Sequence, residues 1–432
     1  MSTTAIFDKR DGKAKISTSD DQHYRPLEKT AVFFNGRIYP PTLDSSGNEI
    51  IAKQLLHADP YRVGETFLKE VEGDFSLIIA ESKRIIAGRD PIGVQPFYYG
   101  ENNSIAAFAS NRKELWNLGI QEVLSFPPGH LSLVNREGFR FKQVKTLPCS
   151  VPKQVTMQEA AETLAKLLER SVSKRVSGSK DIVVAFSGGL DSSIIAFLAK
   201  KSSVNVHLVH VSLENQPEIE EAEKAAHALD LPLYVYLFRE EEVENVISNV
   251  VELIEEADPV KASIGIPFYW VAKKTAELSF KVLLAGQGAD ELFGGYQRYV
   301  NEYLLYGKEK ARKTMVDDVI GIHESNLERD MKICYFHKVE LRLPFGSYPI
   351  AKFAMNLPIE LKIERRSDTK RKLVLRKAAE NIGLPSIITE KSKKAVQYST
   401  GVSNALKKIA KKQKTTVAEY VKDLFLSRVP QN

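Results

Sequence analysis

The stretch Ile182-Val183-Val184-Ala185-Phe186-Ser187-Gly188-Gly189-Leu190-Asp191-Ser192-Ser193 decides the fold of the second half of the chain. Its first five residues form an apolar, largely β-branched run that suits a buried strand. The following Ser187–Ser193 reads as a glycine turn, and IIAFLAKK continues as a helix. Strand, turn and helix start in that order leave a nest of backbone N–H groups at a helix N-terminus, where the peptide dipoles favour a polyphosphate. Gly188 and Gly189 let the backbone bend and approach an anion, and Ser187, Ser192 and Ser193 add hydroxyl donors. Asp191 suits the accompanying Mg2+. The loop lacks the lysine of a Walker sequence. A loop of this kind around a leaving pyrophosphate suits attack at the α-phosphate, that is, adenylation. The competing reading is a serine-rich helix cap. A serine nucleophile is disfavoured, because the sequence is not G-x-S-x-G and no histidine stands at a recognisable position.

The turn sits in an alternating α/β pattern. DIVVAF, VNVHLVHVSL, LPLYVYLF and KVLLAG read as strands, with helical segments between them such as EIEEAEKAAHALD and EEEVENVISNVVELIEEA. That rhythm predicts a parallel sheet with covering helices and ligands beyond the carboxyl ends of its strands. KVLLAG runs into a second glycine loop, GQGADELFGGY, at Gly286–Tyr296. It is expected on the same sheet edge as the first loop, so that Asp290 joins Asp191 as a Mg2+ ligand. A glycine turn capped by acids is its bland alternative. From about Tyr299 onward the pattern is mostly helical.

The first 150 residues differ. AVFFNGRIYP, DFSLIIAE, RIIAGRD and VQPFYYG are short apolar runs broken by Gly, Pro, Asn and Asp, as antiparallel strands are. NEIIAKQLLHA and VGETFLKEVEG read as helices. After the connection TLPCSVPKQV, the segment TMQEAAETLAKLLERSVSKRV has the apolar spacing of an amphipathic helix. Two domains follow, 1–150 and 155–432, within a length of 432 residues.

Composition bounds the remaining readings. No run approaches the roughly 20 apolar residues of a membrane span, and the start lacks a secretory core. Cys149 and Cys334 stand far apart and in no C-x-x-C pair, which reads as reduced thiols and a cytoplasmic protein. The net charge of +6 comes from 61 basic and 55 acidic residues. Lys362–Lys377 and Lys391–Lys414 are basic and Glu218–Glu256 is acidic. The basic runs read as solvated helix faces or as surface meeting a triphosphate. Nucleic acid is disfavoured because few aromatic residues interleave them.

Taken in order, SGGLDSS, GQGADELFGGY, VELRLPF at Val339–Phe345, DTKRKLVLRKAAENIGLP and KSKKAVQYSTGV at Lys391–Val402 resemble the synthetase domain of the asparagine synthetases, in the ATP-pyrophosphatase superfamily. The resemblance covers most of the chain from about residue 160 onward. It implies an adenine-nucleotide α-hydrolase-like (PP-loop) domain with a helical C-terminal part. It also implies a carbon–nitrogen ligase that uses ATP and Mg2+ to make β-aspartyl-AMP, which ammonia converts to asparagine. Carried over by motif, Ser187, Gly188, Gly189, Asp191, Ser192 and Ser193 would bind pyrophosphate and Mg2+. Val211, Gly286, Gln287 and Gly288 would line the nucleotide, and Asp290 would share the metal. Glu340 would orient ammonia or accept its proton, and Lys394 or its neighbour Lys393 would stabilise charge on the α-phosphate. For Glu340 the alternative is a helix salt bridge with Arg342 or Lys338, and for Lys394 a solvated surface lysine.

FNGRIYP and GDFSLIIAESKRIIAGRDPIGVQPFYY are similar to segments of the same family's glutaminase domain, which implies an α+β antiparallel-sheet, Ntn-hydrolase-like fold. That glutaminase works through an N-terminal cysteine. Here the sequence begins Met1-Ser2-Thr3-Thr4, with no cysteine before Cys149. The expectation is a degenerate domain, with ammonia taken from solution or from a separate glutaminase subunit, and a homodimer as the assembly. Gly346-Ser347 stands where the family usually has Leu-Asp, which leaves room for another acid. The alternative functions are a β-lactam-synthetase-like or other amide-forming ligase, and a tRNA-modifying ATP-pyrophosphatase.

Overall fold

A computed structural model describes residues 3–18, 24–27, 30–39, 47–148, 152, 154–366, 370–390 and 400–428. The chain divides into two compact units, 1–147 with 426–432, and 148–425.

Among the described residues the front unit holds two antiparallel sheets. One orders its strands as 13–18, 3–8, 105–109, 98–101, 124–125, and the other as 138–143, 130–135, 84–89, 73–81, 30–38, 24–27. Alternation along each strand decides the layering. Ala5, Phe7 and Phe108 from one sheet meet Phe33, Ile78 and Ile85 from the other in a core between them. The outer face of the second sheet presents Val32, Leu77 and Ile79 to the helices Gly47–Leu55 and Pro60–Glu70. The first sheet packs Tyr98 and Ala107 with Leu115 of the short helix Arg112–Asn117. The result is the expected antiparallel α+β unit.

Its GRDPIG motif is structural. The Asp90 carboxylate is fully buried and accepts backbone N–H bonds from Ile92 (2.9 Å), Gly93 (2.7 Å), Val94 (3.0 Å) and Phe75 (3.2 Å). Arg89, also fully buried, donates to Ser125 Oγ and to the carbonyls of Phe126 and Gly93.

The second unit is built on a parallel sheet ordered Leu233–Phe238, Asn205–Leu213, Asp181–Ala185, Val282–Leu284, Glu340–Arg342. In chain order this is 3-2-1-4-5, so the winding reverses between Asp181–Ala185 and Val282–Leu284. A crevice opens at the carboxyl ends of strands at such a reversal. Both glycine loops leave the sheet there. Helix Met157–Val176 starts at a Thr156/Glu159 capping box. Helix Pro259–Glu277 starts at Asp258, whose carboxylate accepts from the N–H groups of Val260 and Lys261, with Pro259 in its first turn. The last strand lies inside the region expected to be helical. It has three residues, too few to display a period of two.

Burial and the nearby Arg312 guanidinium push the Lys362 ammonium, usually near 10.5, down to about 7. Lys362 precedes a strap whose Leu373 N–H donates to the Lys362 carbonyl at 2.9 Å.

Replacing Asp90 with Ala should destabilise the chain by about 3 kcal/mol or more, since several buried N–H donors lose a charged acceptor. Thermal unfolding of the full chain measures it, and a wild-type melting curve would refute the structural role. Between about pH 7 and pH 10.4 the unfolded chain holds a proton on Lys362 that the folded chain has shed, so this residue makes stability rise with pH. Lys362→Met should therefore be more stable than wild type near pH 7, with the advantage shrinking toward about pH 9.5. Urea unfolding at both pH values tests this, and a constant difference would contradict it.

Candidate active site

The strand Asp181–Ala185 is apolar because both its faces are covered, and it delivers the chain to Ser187 at the sheet edge. Gly188 turns the backbone with φ of +65°, and a Cβ there would lie 2.7 Å from Ala222 Cα. Both facts require glycine. Helix Leu190–Lys201 then begins at Gly189 with no side-chain cap. A helix N-terminus of this kind, without a side-chain cap, suits an anion. Ser187 Oγ lies 3.4 Å from Ser192 Oγ, and Ser193 Oγ is buried with no partner among the described residues.

The second loop follows Val282–Leu284 and enters a short helix, Ala289–Phe293. Gly288, with φ of +94°, makes that entry. A Cβ on Gly286 would lie 2.9 Å from Asp191 Cβ, so this glycine allows the two loops to touch. Asp290 thereby comes beside Asp191. One ammonium joins them: Lys372 Nζ is 2.7 Å and 2.6 Å from the two Asp191 carboxylate oxygens and 2.6 Å from Asp290 Oδ1. The lysine side chain is 2% exposed. Gly295 makes room for it, since a Cβ there would stand 2.5 Å from Lys372 Cε and clash with Asp290 Oδ1.

A cavity of about 790 Å3 opens over the two loops. Ser187, Asp191, Ser192, Gly286, Gln287 and Asp290 line its polar floor. Val211, Ile264 and Phe268 give one wall an apolar face suited to a nucleobase. On the far wall Glu291 is buried, and its Oε1 accepts from the Tyr296 hydroxyl at 2.6 Å and from Asn326 Nδ2 at 2.7 Å. Burial, and then the neighbouring Asp290, raise the Glu291 carboxyl above the usual range. Gln287 donates to Asp330 at 2.5 Å, and Arg329 holds both oxygens of that aspartate at 2.7 and 3.0 Å.

The donor set fits Mg2+ and a polyphosphate. Asp191 and Asp290 already converge on one positive charge, and Mg2+ is commonly held by one or two carboxylates plus phosphate and water oxygens. Among the described residues no group of three or more His, Cys, Asp or Glu is arranged to hold a metal alone. The remaining ligands would come from the phosphates and water.

Glu340 is not brought to this cavity. In the parallel register it pairs with Val282, at the amino end of the neighbouring strand, away from the edge where the glycine loops leave. Its carboxylate takes two bonds from the Arg342 guanidinium, at 2.8 and 3.1 Å. Arg342 in turn donates to the Arg175 carbonyl and to Ser179 Oγ. The ion pair anticipated as the alternative is present, on a strand rather than a helix. The role of ammonia-orienting acid stays a proposal for Glu340, whose carboxylate is held here by Arg342. Gly346 and Ser347 also lie off the cavity wall, with Ser347 buried at the start of helix Tyr348–Met355. Lys393 and Lys394 fall outside the described residues.

Lys372 lies within the matching segment DTKRKLVLRKAAENIGLP, whose resemblance alone assigns it no role. The signal was available: Arg371 and Lys372 stand at the start of the helical run LVLRKAAEN. Cations there oppose the helix dipole unless an anion faces them.

The profile of the asparagine synthase family matches residues 163–311 and 302–429, and that of a glutamine amidotransferase domain matches residues 14–117. A putative glutamine-hydrolysing asparagine synthetase of Methanocaldococcus jannaschii is 33% identical over 81% of this chain and 73% of its own. The chain belongs to the asparagine synthase family. The members are carbon–nitrogen ligases, and the pea (Pisum sativum) root asparagine synthetase is 27% identical over 78% of this chain. The matched region spans 60% of the pea protein's length. Among solved structures, an NMN synthetase from Francisella tularensis overlaps 64% of this chain and 92% of its own, at 12% identity and a TM-score of 0.32. Among the described residues no helix is long and apolar enough to cross a membrane.

Gly295→Ala should displace Asp290 and Lys372 by about 1 Å, lower ATP-dependent ligase activity roughly 100-fold and lower the melting temperature modestly, the variant staying folded at assay temperature. Steady-state assay beside thermal unfolding checks this. Full activity in a folded variant would show that the contact is dispensable.

Proposed function

We propose that the chain forms asparagine from aspartate, ATP and ammonia through β-aspartyl-AMP, releasing AMP and pyrophosphate. The observation that carries this reading is the meeting of Asp191 and Asp290 beside an uncapped helix N-terminus at the winding reversal. In this reading the backbone of Ser187–Ser193 and its serine hydroxyls hold the β- and γ-phosphates, and Asp191 and Asp290 hold Mg2+. The metal would neutralise charge on the leaving pyrophosphate. Val211 and the neighbouring apolar wall receive adenine, with Gly286, Gln287 and Gly288 below it. This orientation turns the α-phosphate toward Glu291, Tyr296 and Asn326. Arg298 and Arg329 stand on the same wall. The guanidiniums and the Glu291 carboxyl are the groups proposed to face the α-carboxylate and α-ammonium of aspartate, leaving its β-carboxylate to the α-phosphate.

Ammonia is the proposed nitrogen donor. Asp90 and Arg89, in the motif the front unit shares with glutaminases, are taken up by packing and supply no nucleophile. A separate glutaminase subunit is an alternative supplier of the same ammonia. Lys393 or Lys394 remains the proposed cation for the α-phosphate.

The test is product analysis by mass spectrometry with ATP, Mg2+ and aspartate, supplied with either ammonium or glutamine. Asparagine, AMP and pyrophosphate should accumulate with ammonium, and little should form with glutamine. Formation of ADP and orthophosphate, or pyrophosphate release only with another acid, would overturn the proposal.

A further inference from the structure

We propose that Lys372 is a built-in cation that holds the two metal-site carboxylates in the empty enzyme and moves to the polyphosphate when the metal arrives. The inference rests on the reading of Asp191 and Asp290 as metal carboxylates.

Geometry is the first support. The ammonium lies 2.6–2.7 Å from three carboxylate oxygens on two separate loops. Mg2+ bound to the same oxygens would sit about 2.0–2.1 Å from them. Two cations cannot share that position, so the metal displaces the lysine.

The backbone supplies a second, independent support. Lys372 has φ of 62° and ψ of 43°, the left-handed conformation. That conformation is unfavourable for an L-residue with a Cβ and easy for glycine. The surrounding strap imposes it: Ile363 and Arg371 form a β-bridge, the Leu373 N–H is bonded to the Lys362 carbonyl, and Arg371 Nη1 donates to the Gly295 carbonyl at 2.9 Å. A lysine at a position that suits glycine directs attention to its side chain.

The neighbouring cations are tied down differently. Arg376 donates to the carbonyls of Arg371 and Thr389, and Arg371 to that of Gly295. These bonds anchor both guanidiniums to backbone, and each also feels a site carboxylate, Arg376 that of Asp191 and Arg371 that of Asp290. Among the described residues the Lys372 ammonium bonds to carboxylates only. Once displaced in so buried a place it needs another anion, because an unpaired buried charge is costly. The anion that arrives with the metal is the polyphosphate on the adjacent glycine loop. Metal and polyphosphate should therefore bind together, and the metal alone should bind weakly.

The test uses Mn2+ as a spin probe with the full chain and no nucleotide, measuring free Mn2+ by electron paramagnetic resonance. Wild type should bind Mn2+ weakly alone and tightly with pyrophosphate. Lys372→Gly keeps the backbone conformation and deletes the ammonium; it should bind Mn2+ alone roughly 10-fold or more tightly than wild type. Lys372→Met should do the same, and both should lose affinity for pyrophosphate, with folding checked by thermal unfolding. Equal Mn2+ affinities in wild type and Lys372→Gly without pyrophosphate would overturn the proposal while leaving the metal site standing. Absence of Mn2+ binding in every form, pyrophosphate included, would overturn the assignment of the carboxylates and this inference with it.

Discussion

Two carboxylates from loops nearly a hundred residues apart, both largely buried, cannot be held together without a cation between them. The contact of Asp191 and Asp290 with the Lys372 ammonium meets that condition, and much of the second unit can be understood from it. The winding reversal places the two loops on adjacent strands. Gly286 lets them touch, and Gly295 makes space for the lysine side chain. Gly188 turns the first loop so that the helix behind it starts uncapped. Each of these glycines fails for a stated steric reason if it gains a Cβ. The result is a small region where converging negative side chains lie beside a helix N-terminus without a side-chain cap, opposite in sign. A magnesium polyphosphate has the complementary pattern.

Legibility in the sequence followed the physics of each element. The strand before Ser187 was readable because a strand covered on both faces must be apolar throughout. The turn was readable because only glycine tolerates its backbone. The shared sheet edge of the two loops followed from the alternation of strands and helices. The position of Glu340 was not legible, for an equally definite reason. A three-residue strand has no visible period, and a motif does not say which end of the sheet a residue occupies. That depends on the register Val282 to Glu340, which is a tertiary fact. Lys372 was missed because its role exists only once three segments have come together.

The pairing of Glu340 with Arg342 illustrates how an acid next to a basic residue in a motif can be structural. Arg342 is buried and binds the end of the helix Met157–Val176 through the Arg175 carbonyl. Glu340 balances its charge at the edge of the sheet. The pair thus joins the last strand to the helix that opens the unit, which is sufficient reason for both residues.

A similar distinction governs the front unit. The segment GRDPIGVQPFYY resembles a glutaminase closely, yet the residues that carry the likeness are consumed by packing. Asp90 gathers the N–H groups of its own turn and of the strand Gly73–Glu81, and Arg89 gathers carbonyls across the core. Such a cage demands an aspartate and an arginine whether or not a nucleophile is present. Resemblance of this kind therefore reports the scaffold of a glutaminase, and says nothing about its chemistry. The chemistry needs a thiolate beside a free amine at the head of a strand, a demand that none of the caged residues can meet. Stability and hydrolysis thus draw on different atoms of the same unit.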